Sequence, residues 1–412
     1  MKTIDGSMLE GGGQILRYSA ALSAITGTPV AVEKVRAKRS KPGLQPQHLT
    51  GLQLVERICR GELQGGAVGS ANISLRPGAA VCGRYSADTR TAGSCTLMVQ
   101  QIPIRRSFSE LELLGGTDAD MAPPAGYLAD VLAPLLRRLY GDLMEGLDVQ
   151  IVRRGFYPRG GGILTARVPS LPRGTSLPPL DLTTRGNITQ VTIKSFAAGR
   201  VPATVPQRLA ASAEAVIRRT LRGLGPAGRS APILVEAVLE PPDRAFGDGC
   251  GVLIIADTDT GCRLGASAKG ERGVPAEQIG ERAAEELAEA LESGTCVDQW
   301  MQDQLIIWMA LASGVSRMRC CEPSLHTRTA MVVAETLLPG VKFTLHRPAP
   351  ARGAARRGSG GKGGKGKAGG GEADGGAGST PEEAQLTVTA DGAADELWLV
   401  ECRGAGWAAG RA

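Results

Sequence analysis

The chain has 412 residues, of which 42% are apolar, so it is long enough for two or three domains with a sizeable core. Aromatic residues make up only 3% of it, which argues against a base-stacking surface for single-stranded nucleic acid. The formal net charge of +6 equals the six Lys and Arg residues of 351–367, a stretch without acids. The rest of the chain is therefore formally neutral, and any nucleic-acid site must be a local patch.

The first candidate for chemistry is a glycine-rich turn between a short strand and a helix. Residues 1–5 favour a strand, and an amphipathic helix is predicted to end at Thr26. Between them, the glycines of 11–13 expose backbone N–H groups to an anion, and Glu10 could hold a metal ion that bridges phosphates. The alternative is a glycine-rich turn that only closes a hairpin.

A basic loop follows the strand predicted at 30–35. Five of the eight residues 34–41 carry a positive charge, and a helix predicted at 45–59 carries Gln47 and His48 near its start. A basic loop that leads into a helix start favours a phosphate clamp. A solvated run of charges is the alternative.

Strands and helices then recur in a similar order. The expected elements are a helix that starts within 91–96 and contains Gln100, a strand at 111–114, a helix opened by Pro123 and Pro124 and ending near 143, and a strand at 149–154. A second glycine-rich turn follows at 155–162. The recurrence predicts a repeated α/β unit.

From about residue 185 the pattern changes. We expect strands at 191–196, 233–239 and 251–257 and helices at 205–224 and 274–292. This compact α/β block has the size of an inserted domain.

A helix is predicted at 299–312, with Gln302, Asp303 and Gln304 grouped near its start and an apolar remainder. A carboxylate and two amides together at one end of a buried helix favour a binding site. Acidic residues also stabilise a helix N-terminus, so a structural role stays open.

His326 is one of only three histidines, and it lies where a strand-like segment gives way to an apolar helix predicted at 327–338. The partial positive charge of a helix N-terminus disfavours imidazolium, so a neutral, nucleophilic imidazole is possible there. The alternative is a capping or core histidine.

The end of the chain contains a strand at 341–345, a Gly-, Lys- and Arg-rich insertion at 347–384, and two short strands at 386–389 and 396–402. The composition of the insertion predicts disorder. We expect the last two strands to form a closing pair, with the insertion as an expansion within a hairpin.

The nine cysteines include no C-x-x-C pair, which favours reduced thiols in an intracellular protein. No run of 18 apolar residues is present, so no membrane span is expected. Charged residues within the first ten positions also argue against a signal peptide.

Several of these segments form an ordered set of motifs. They are DG at 5–6, EGGGQILR at 10–17, RAKRSKPGLQPQHL at 36–49, AGSCTL at 92–97, GGTD at 115–118, APP at 122–124, GFYPRGGG at 155–162, DQL at 303–305 and PSLH at 323–326. In this order they resemble the RNA 3′-terminal phosphate cyclase family. VECRG at 400–404 is similar to the end of its eukaryotic members.

The resemblance implies a fold of the α/β (α+β) class. Family members have a large domain of three similar βαβαββ-type units and a smaller α/β domain inserted into the third. On this sequence the large domain would cover 1–185 and 284–346 and close with 385–404. The inserted domain would cover 186–283.

The resemblance also implies an activity: ATP-dependent conversion of an RNA 3′-phosphate to a 2′,3′-cyclic phosphate, with release of AMP and diphosphate. ATP is the implied co-substrate, and RNA with a 3′-phosphate end is the implied partner. Mg²⁺ or Mn²⁺ is expected to neutralise the triphosphate. The eukaryotic-type ending and the low-complexity insertion favour a nuclear location.

The family's functional residues carry over one by one. His326 matches the nucleophile that would carry AMP, and Glu10 matches a residue near the triphosphate and metal. Positions around adenylate are matched by Gln100, Pro123, Trp300, Met301, Gln302, Asp303 and Gln304. The phosphates of ATP or the RNA end would be bound by Arg17, Arg36, Arg39, Gln47 and His48.

Three features depart from the family pattern. Trp300 stands where bacterial-type members carry tyrosine, Cys320-Cys321-Glu322 precedes Pro323, and the insertion at 347–384 has no counterpart. Two other functions stay open. A non-catalytic cyclase-like protein of ribosome biogenesis would lack the nucleophilic histidine, and an RNA-end binding module would make His326 dispensable.

Overall fold

The computed structural model describes residues 1–100, 109–348, 386–390 and 397–409. Within them the strands form four sheets flanked by helices, which confirms the predicted α/β class. None of the helices in these ranges combines the length and apolar character needed to cross a membrane. The insertion predicted to be disordered lies, from residue 349 onward, outside the described residues.

The first sheet places the glycine-rich turn beside a helix. Its elements are β1 (Lys2–Asp5), α1 (Gly13–Thr26), β2 (Val30–Glu33), α2 (Pro46–Cys59), β3 (Glu62–Gln64) and β4 (Ile73–Arg76). The strand order is β1-β2-β4-β3, with β1 parallel to β2 and the other pairs antiparallel. Strand β2 ends two residues before its predicted limit, because Lys34 has a φ of 51° that an extended strand does not allow.

The second sheet repeats this pairing pattern. Its elements are β5 (Gly83–Asp88), α3 (Cys95–Val99), β6 (Ser109–Gly115), α4 (Ala125–Tyr127), α5 (Ala133–Tyr140), β7 (Asp148–Gly155) and β8 (Gly162–Val168). Strand β5 is parallel to β6, and β8 lies antiparallel between β6 and β7. The sequence predicted Gln100 inside this helix. In the structure Gln100 directly follows α3 and is its C-cap.

The single helix predicted from Pro123 to about 143 is interrupted. A π-helical turn, Leu128–Leu132, separates α4 from α5, and a 3₁₀ turn, Gly141–Met144, follows α5. Pro134 has no N–H to bond the preceding turn, and the N–H of Ala133 donates to the carbonyl of Leu128, five residues back. The helix predicted from Pro123 to about 143 is therefore confirmed in its extent, and only the π-helical turn within it was not predicted.

The block predicted as an insertion contains a four-stranded sheet. The chain passes through β9 (Asp181–Leu182), β10 (Ile188–Ala198), α6 (Val205–Gly223), α7 (Gly225–Ser230), β11 (Ile233–Leu239), a 3₁₀ turn (Pro242–Arg244), β12 (Ala245–Phe246), β13 (Gly249–Thr258), β14 (Arg263–Lys269) and α8 (Ala276–Ser293). The sheet order is β11-β10-β13-β14, and α6 and α8 pack against it and each other. Because α8 continues to Ser293, a domain boundary at 283 cuts through this helix.

The last sheet carries the helices that hold the candidate site. Its region contains α9 (Gln299–Leu311), β15 (Val315–Cys320), α10 (Leu325–Leu337), β16 (Lys342–Arg347), β17 (Thr387–Ala390) and β18 (Trp398–Arg403). The strand order is β17-β16-β18-β15-β9.

The closing strand pair predicted from the sequence was wrong. Strand β16 lies between β17 and β18, antiparallel to β18 and parallel to β17. The physical reason is burial: alternate residues of β16 and β18 face the core, whereas Val388 of β17 is 49% exposed. Strand β17 therefore takes the edge of the sheet.

Three sheets share one pairing order. In each, a parallel pair (β1–β2, β5–β6 or β9–β15) is followed by an antiparallel strand and then by a fourth strand antiparallel to it. Helix α1 packs on α2 and α10, and α10 also packs on α9. This packing brings the starts of α1, α9 and α10 together.

Candidate active site

His326 lies in the first turn of α10, next to the start of the helix. Ser324 caps this helix, and its hydroxyl accepts a hydrogen bond from the N–H of Thr327 at 3.1 Å. The His326 side chain is 43% exposed, so the imidazole can reach a ligand. The helix beyond it is largely buried, which anchors the ring at the surface of a rigid element.

The glycine-rich turn supplies the groups that surround His326. Nδ1 of His326 lies 2.6 Å from Oε1 of Gln14 and 3.2 Å from Oε2 of Glu10. Gln14 is buried, and its Nε2 donates to Oδ2 of Asp303 at 3.0 Å. The structure therefore joins α1, α9 and α10 through three polar side chains.

Glycine is required in this turn because side chains approach it closely. A Cβ on Gly12 would lie 2.5 Å from Oε1 of Glu10, and a Cβ on Gly13 would collide with the imidazole of His48. The predicted turn thus does more than close a hairpin. It lets Glu10 and His48 pack onto the start of α1.

Burial lowers the pKa of His326, and the cations of Arg17 and Arg39 lower it further, while Asp303 acts in the opposite direction. The imidazole is therefore held in the neutral form that a nucleophile requires. Burial raises the pKa of Asp303 to about 6, while His326 and Arg17 oppose this increase.

The basic loop turns two arginines toward the glycine-rich turn. Arg39 forms an ion pair with Glu10. Arg36 has a φ of 54° and donates to the carbonyl of Lys41 at 3.3 Å. Lys34 instead forms an ion pair with Asp5 at 2.9 Å. Neither residue was among the predicted site residues. Arg36 and Arg39 are thus half-buried in a folded loop, whereas Lys34, Lys38 and Lys41 are exposed to solvent.

Helix α2 presents His48 and Gln47 next to this loop. Nδ1 of His48 accepts the N–H of Gln45 at 3.3 Å in a capping box. Burial, together with the cations of Arg36 and Arg17, lowers the pKa of His48 to about 3. Gln47 packs against Gly93, where a Cβ would lie 2.9 Å from Cβ of Gln47.

Arg17 completes the basic side of the site from α1. It is buried, and burial lowers its pKa although Asp303 favours its charged form. A buried guanidinium needs an anionic partner. Asp303 and an incoming phosphate are the groups that suit it.

Asp303 is held from two directions. Its carboxylate accepts from Gln14, and its backbone carbonyl accepts the hydroxyl of Tyr18. The start of its helix is fixed by Asp298, whose carboxylate accepts the N–H groups of Trp300 and Met301 at 2.9 Å. Asp303 is therefore positioned by the side chains of α1 and by the capped start of its own helix, α9.

Two of the residues expected around adenylate have contacts within the protein. Oε1 of Gln302 accepts the N–H of Ser324 at 3.3 Å and the hydroxyl of Thr327 at 3.2 Å. Gln302 thereby ties α9 to the start of α10, where His326 lies. Met301 is fully buried in the apolar core.

The remaining adenylate candidates divide between two pockets. Gln100 and Gln304 line an apolar pocket of about 90 Å³ together with Tyr18 and Trp308. Trp300 lines a different pocket of about 370 Å³ between the main sheets and the inserted block. Pro123 is buried, and its carbonyl accepts the hydroxyl of Thr96 at 2.9 Å.

Buried polar atoms without a hydrogen-bond partner in the described residues are concentrated in the predicted set. Seven predicted site residues have one each, namely Glu10, Arg17, Arg36, Arg39, Gln100, Trp300 and Gln304. Buried polar groups in folded proteins are normally satisfied. The guanidinium and indole nitrogens among them are donors that suit an anionic ligand, whereas the oxygens of Glu10, Gln100 and Gln304 can only accept from a donor group or bind a cation.

Sequence reasoning missed two residues of this site. Gln14 stood inside the motif at 10–17, and its position one residue after the glycine run was the available signal. Asp298 is an aspartate directly before a predicted helix, which is the signature of an N-cap. It also accepts the hydroxyl of Tyr127 at 2.7 Å and the N–H of Gly265 at 2.8 Å.

Comparison with known proteins finds one family over most of the chain. A family model described as RNA 3′-terminal phosphate cyclase matches residues 8–345. A protein of that name from Pyrobaculum neutrophilum is 40% identical over 351 residues, covering 84% of this chain and 95% of its own. Proteins of the same name from Staphylothermus marinus and Methanopyrus kandleri are 40% and 39% identical, and 93% of each is covered.

Proposed function

Because the chain belongs to the RNA 3′-terminal phosphate cyclase family, we propose that it cyclises the 3′-terminal phosphate of RNA at the expense of ATP. The observation that carries the proposal is His326 at a helix start, held neutral and hydrogen-bonded through Nδ1 to Gln14. The product is an RNA with a 2′,3′-cyclic phosphate. AMP and diphosphate leave.

The chemistry explains why a nucleophilic enzyme residue is needed. A terminal phosphate is a poor electrophile for its neighbouring 2′-hydroxyl, because the leaving group would be hydroxide. In the proposed first step His326 attacks the α-phosphorus of ATP and expels diphosphate. AMP then passes from the histidine to the RNA phosphate. The 2′-hydroxyl finally attacks the activated phosphate, which releases AMP and closes the ring.

The phosphates of ATP would meet Arg17, Arg36 and Arg39. Each of these guanidinium groups has a buried nitrogen without a hydrogen-bond partner in the described residues. Arginine suits phosphate because its planar fork can bind two oxygens at once. The neutral His48 and Gln47, on the adjoining start of α2, would contact the triphosphate or the RNA end.

A divalent ion would be held by Glu10, whose Oε2 is buried and free of a directed hydrogen bond in the described residues. No group of three or more His, Cys, Asp or Glu side chains in that part of the chain could hold a metal ion by itself. Phosphate oxygens would therefore complete the coordination, as Mg²⁺ commonly requires. When bound, the ion supplies charge neutralisation of the triphosphate.

The adenosine would be recognised from α9 and its neighbours. Gln100 and Gln304 offer buried amide oxygens, Trp300 offers an indole N–H, and Asp303 offers a carboxylate beside the nucleophile. Pro123 would contribute an apolar contact. Gln302 acts in this proposal by holding the start of α10 rather than by touching the base.

The first step can be tested without RNA. The protein is incubated with α-labelled ATP and Mg²⁺ or Mn²⁺, and acid-labile, alkali-stable label on the protein is measured. We expect wild-type protein to carry the label and His326→Ala to lose it. His346→Ala is the matched control, because this histidine lies on β16 and contacts Thr389 rather than the site.

The same experiment separates the alternatives. A non-catalytic cyclase-like protein and an RNA-end binding module both predict no label on the wild-type protein, and that result would overturn the proposal. Label that survives His326→Ala would reject His326 as the nucleophile.

Conversion of RNA that ends in a 3′-phosphate, but not of RNA that ends in a 3′-hydroxyl, then tests the substrate. The compartment, proposed to be the nucleus, is tested by localising the full chain.

A further inference from the structure

Gln14 makes two contacts that no other part of the proposed reaction explains. It is 1% exposed, and its side-chain amide lies between two groups that are distant in the chain. Oε1 is 2.6 Å from Nδ1 of His326, and Nε2 donates to Oδ2 of Asp303 at 3.0 Å. The side-chain amide of a glutamine has two possible orientations, which exchange the positions of its oxygen and its nitrogen. Contacts at both ends of a buried amide select one of them.

Asp303 decides between these orientations. An ionised carboxylate has no hydrogen to donate, so it requires the NH₂ group of Gln14 on its side. The carbonyl oxygen of Gln14 must then face His326. Because that oxygen can only accept, Nδ1 of His326 must carry the proton, and Nε2 must carry the lone pair.

We propose that Gln14 is a positioning residue that holds His326 in the tautomer protonated at Nδ1. The inference deepens the proposed function and rests on it. Asp303 fixes the orientation of the Gln14 amide, and the oxygen of that amide fixes the proton of His326 on Nδ1. The backbone carbonyl of Asp303 is itself held by the hydroxyl of Tyr18, one turn along α1 from Gln14.

Glu10 is the competing acceptor for the same proton. Its Oε2 lies 3.2 Å from Nδ1, farther than the amide oxygen of Gln14, and its other oxygen is paired with Arg39. A carboxylate in this place would select the same tautomer. The two residues can be separated experimentally, because only Gln14 contacts both His326 and Asp303 within the described residues.

The test reads the tautomer directly by nitrogen NMR of protein labelled at histidine, which is practical because the chain has three histidines. His326→Gln assigns the signals. Gln14→Met keeps the length of the side chain but removes the acceptor, and Gln14→Glu keeps an acceptor but removes the donor to Asp303. Ser23→Ala is the matched control on α1, because Ser23 bonds the carbonyl of Thr28 and not the site.

We expect His326 to be protonated at Nδ1 in the wild type, in Gln14→Glu and in Ser23→Ala, and to become a mixture of tautomers in Gln14→Met. Transfer of label from ATP should fall on the order of 10- to 100-fold in Gln14→Met, as for other residues that orient a functional histidine. Thermal unfolding of each variant checks that it is folded.

Two results would overturn the inference. One is an Nε2-protonated His326 in the wild type. The other is a Gln14→Met protein with the wild-type tautomer, which would show that Glu10 sets it. Because the tautomer is read without ATP, these results are distinct from a failure of the wild-type protein to accept label, which would reject the proposed function instead.

Discussion

His48 is a buried histidine beside two arginines, and its surroundings determine how it responds to pH. Its Nδ1 accepts a backbone N–H, and its ring lies against Gly13. Two cations and burial all oppose a proton on this ring. A neutral His48 next to a cationic cluster can bind a phosphate-bearing ligand without adding another buried charge.

We predict that His48 makes the protein less stable in acid. Burial lowers the pKa of His48 to about 3 from the ordinary 6.5. The unfolded chain therefore binds a proton between these values while the folded chain does not, so the free energy of unfolding falls as the pH falls from 6.5 toward 3. The loss should reach a few kcal/mol at most, on the order of 1.4 kcal/mol per pH unit of difference.

Denaturant unfolding of wild type and His48→Gln between pH 4 and 7 measures this effect. The stability difference between the two proteins should shrink or reverse as the pH falls. His346→Gln serves as a control that removes a histidine elsewhere. Parallel pH profiles for wild type and His48→Gln would show that His48 does not titrate differently in the folded state.

At the scale of elements, Asp298 ties together the start of α9, Tyr127 of α4 and Gly265 of β14. Burial raises the pKa of this carboxyl to about 6, while the hydrogen bonds that it accepts oppose the shift. Each donor would be left buried and unpaired if the carboxylate were lost. Asp298 therefore holds the helix that carries Asp303 and Gln304.

We predict that Asp298→Asn lowers the free energy of unfolding by about 1–3 kcal/mol, because the amide nitrogen that replaces Oδ2 cannot accept from the N–H of Gly265. It should also reduce adenylyl transfer by shifting α9. Urea denaturation and the label assay measure the two effects. Asp181→Asn is the control, because Asp181 is exposed and, among the described residues, its carboxylate accepts hydrogen bonds only from Thr183, two residues away. Equal stability losses in both variants would contradict the role of Asp298.

The elements also show what a sequence pattern can and cannot predict. Helices α1, α2, α6 and α10 were predicted because each has an amphipathic or apolar repeat and a clear start or stop residue. The π-helical turn between α4 and α5 was not predicted, because Pro134 lies inside the helix and its missing N–H shifts the hydrogen bonding of the preceding turn. The closing strand pair was wrong because strand neighbours depend on contacts between distant segments, which local patterns do not encode.

At the scale of the whole molecule, Arg154 connects the second sheet with the inserted block. Its Nε lies 2.7 Å from Glu240, its Nη1 lies 3.6 Å from Asp118, and its guanidinium lies 3.5 Å from the ring centre of Phe196. The side chains of Arg154, Asp118 and Glu240 are 15%, 5% and 16% exposed. This cluster holds the four-stranded sheet against the main body together with the pairing of β12 with β7.

We predict that Arg154→Met destabilises the protein by roughly 3–5 kcal/mol, because it leaves two buried carboxylates without their cation. Arg154→Lys should cost less, since it keeps the charge but loses the planar contact with Phe196. Chemical denaturation measures both. Arg200→Met is the control, because the Arg200 side chain is 91% exposed and solvent screens its ion pair with Asp248. A loss of stability for Arg154→Met that is no larger than the loss for Arg200→Met would contradict this account.

The sequence by itself determined the α/β class, most helices, the glycine-rich turn, the basic loop and the identity of His326 as the candidate nucleophile. These depend on local periodicity, on residue types with special backbone preferences, and on an ordered set of motifs. The tertiary structure alone decided which side chains meet. Gln14 bonds Asp303 and His326 across 289 and 312 positions of the chain, and Gln302 accepts the N–H of Ser324 and so ties α9 to the start of α10. Such contacts follow from the packing of α1, α9 and α10 against one another, and no local pattern in the chain specifies that packing.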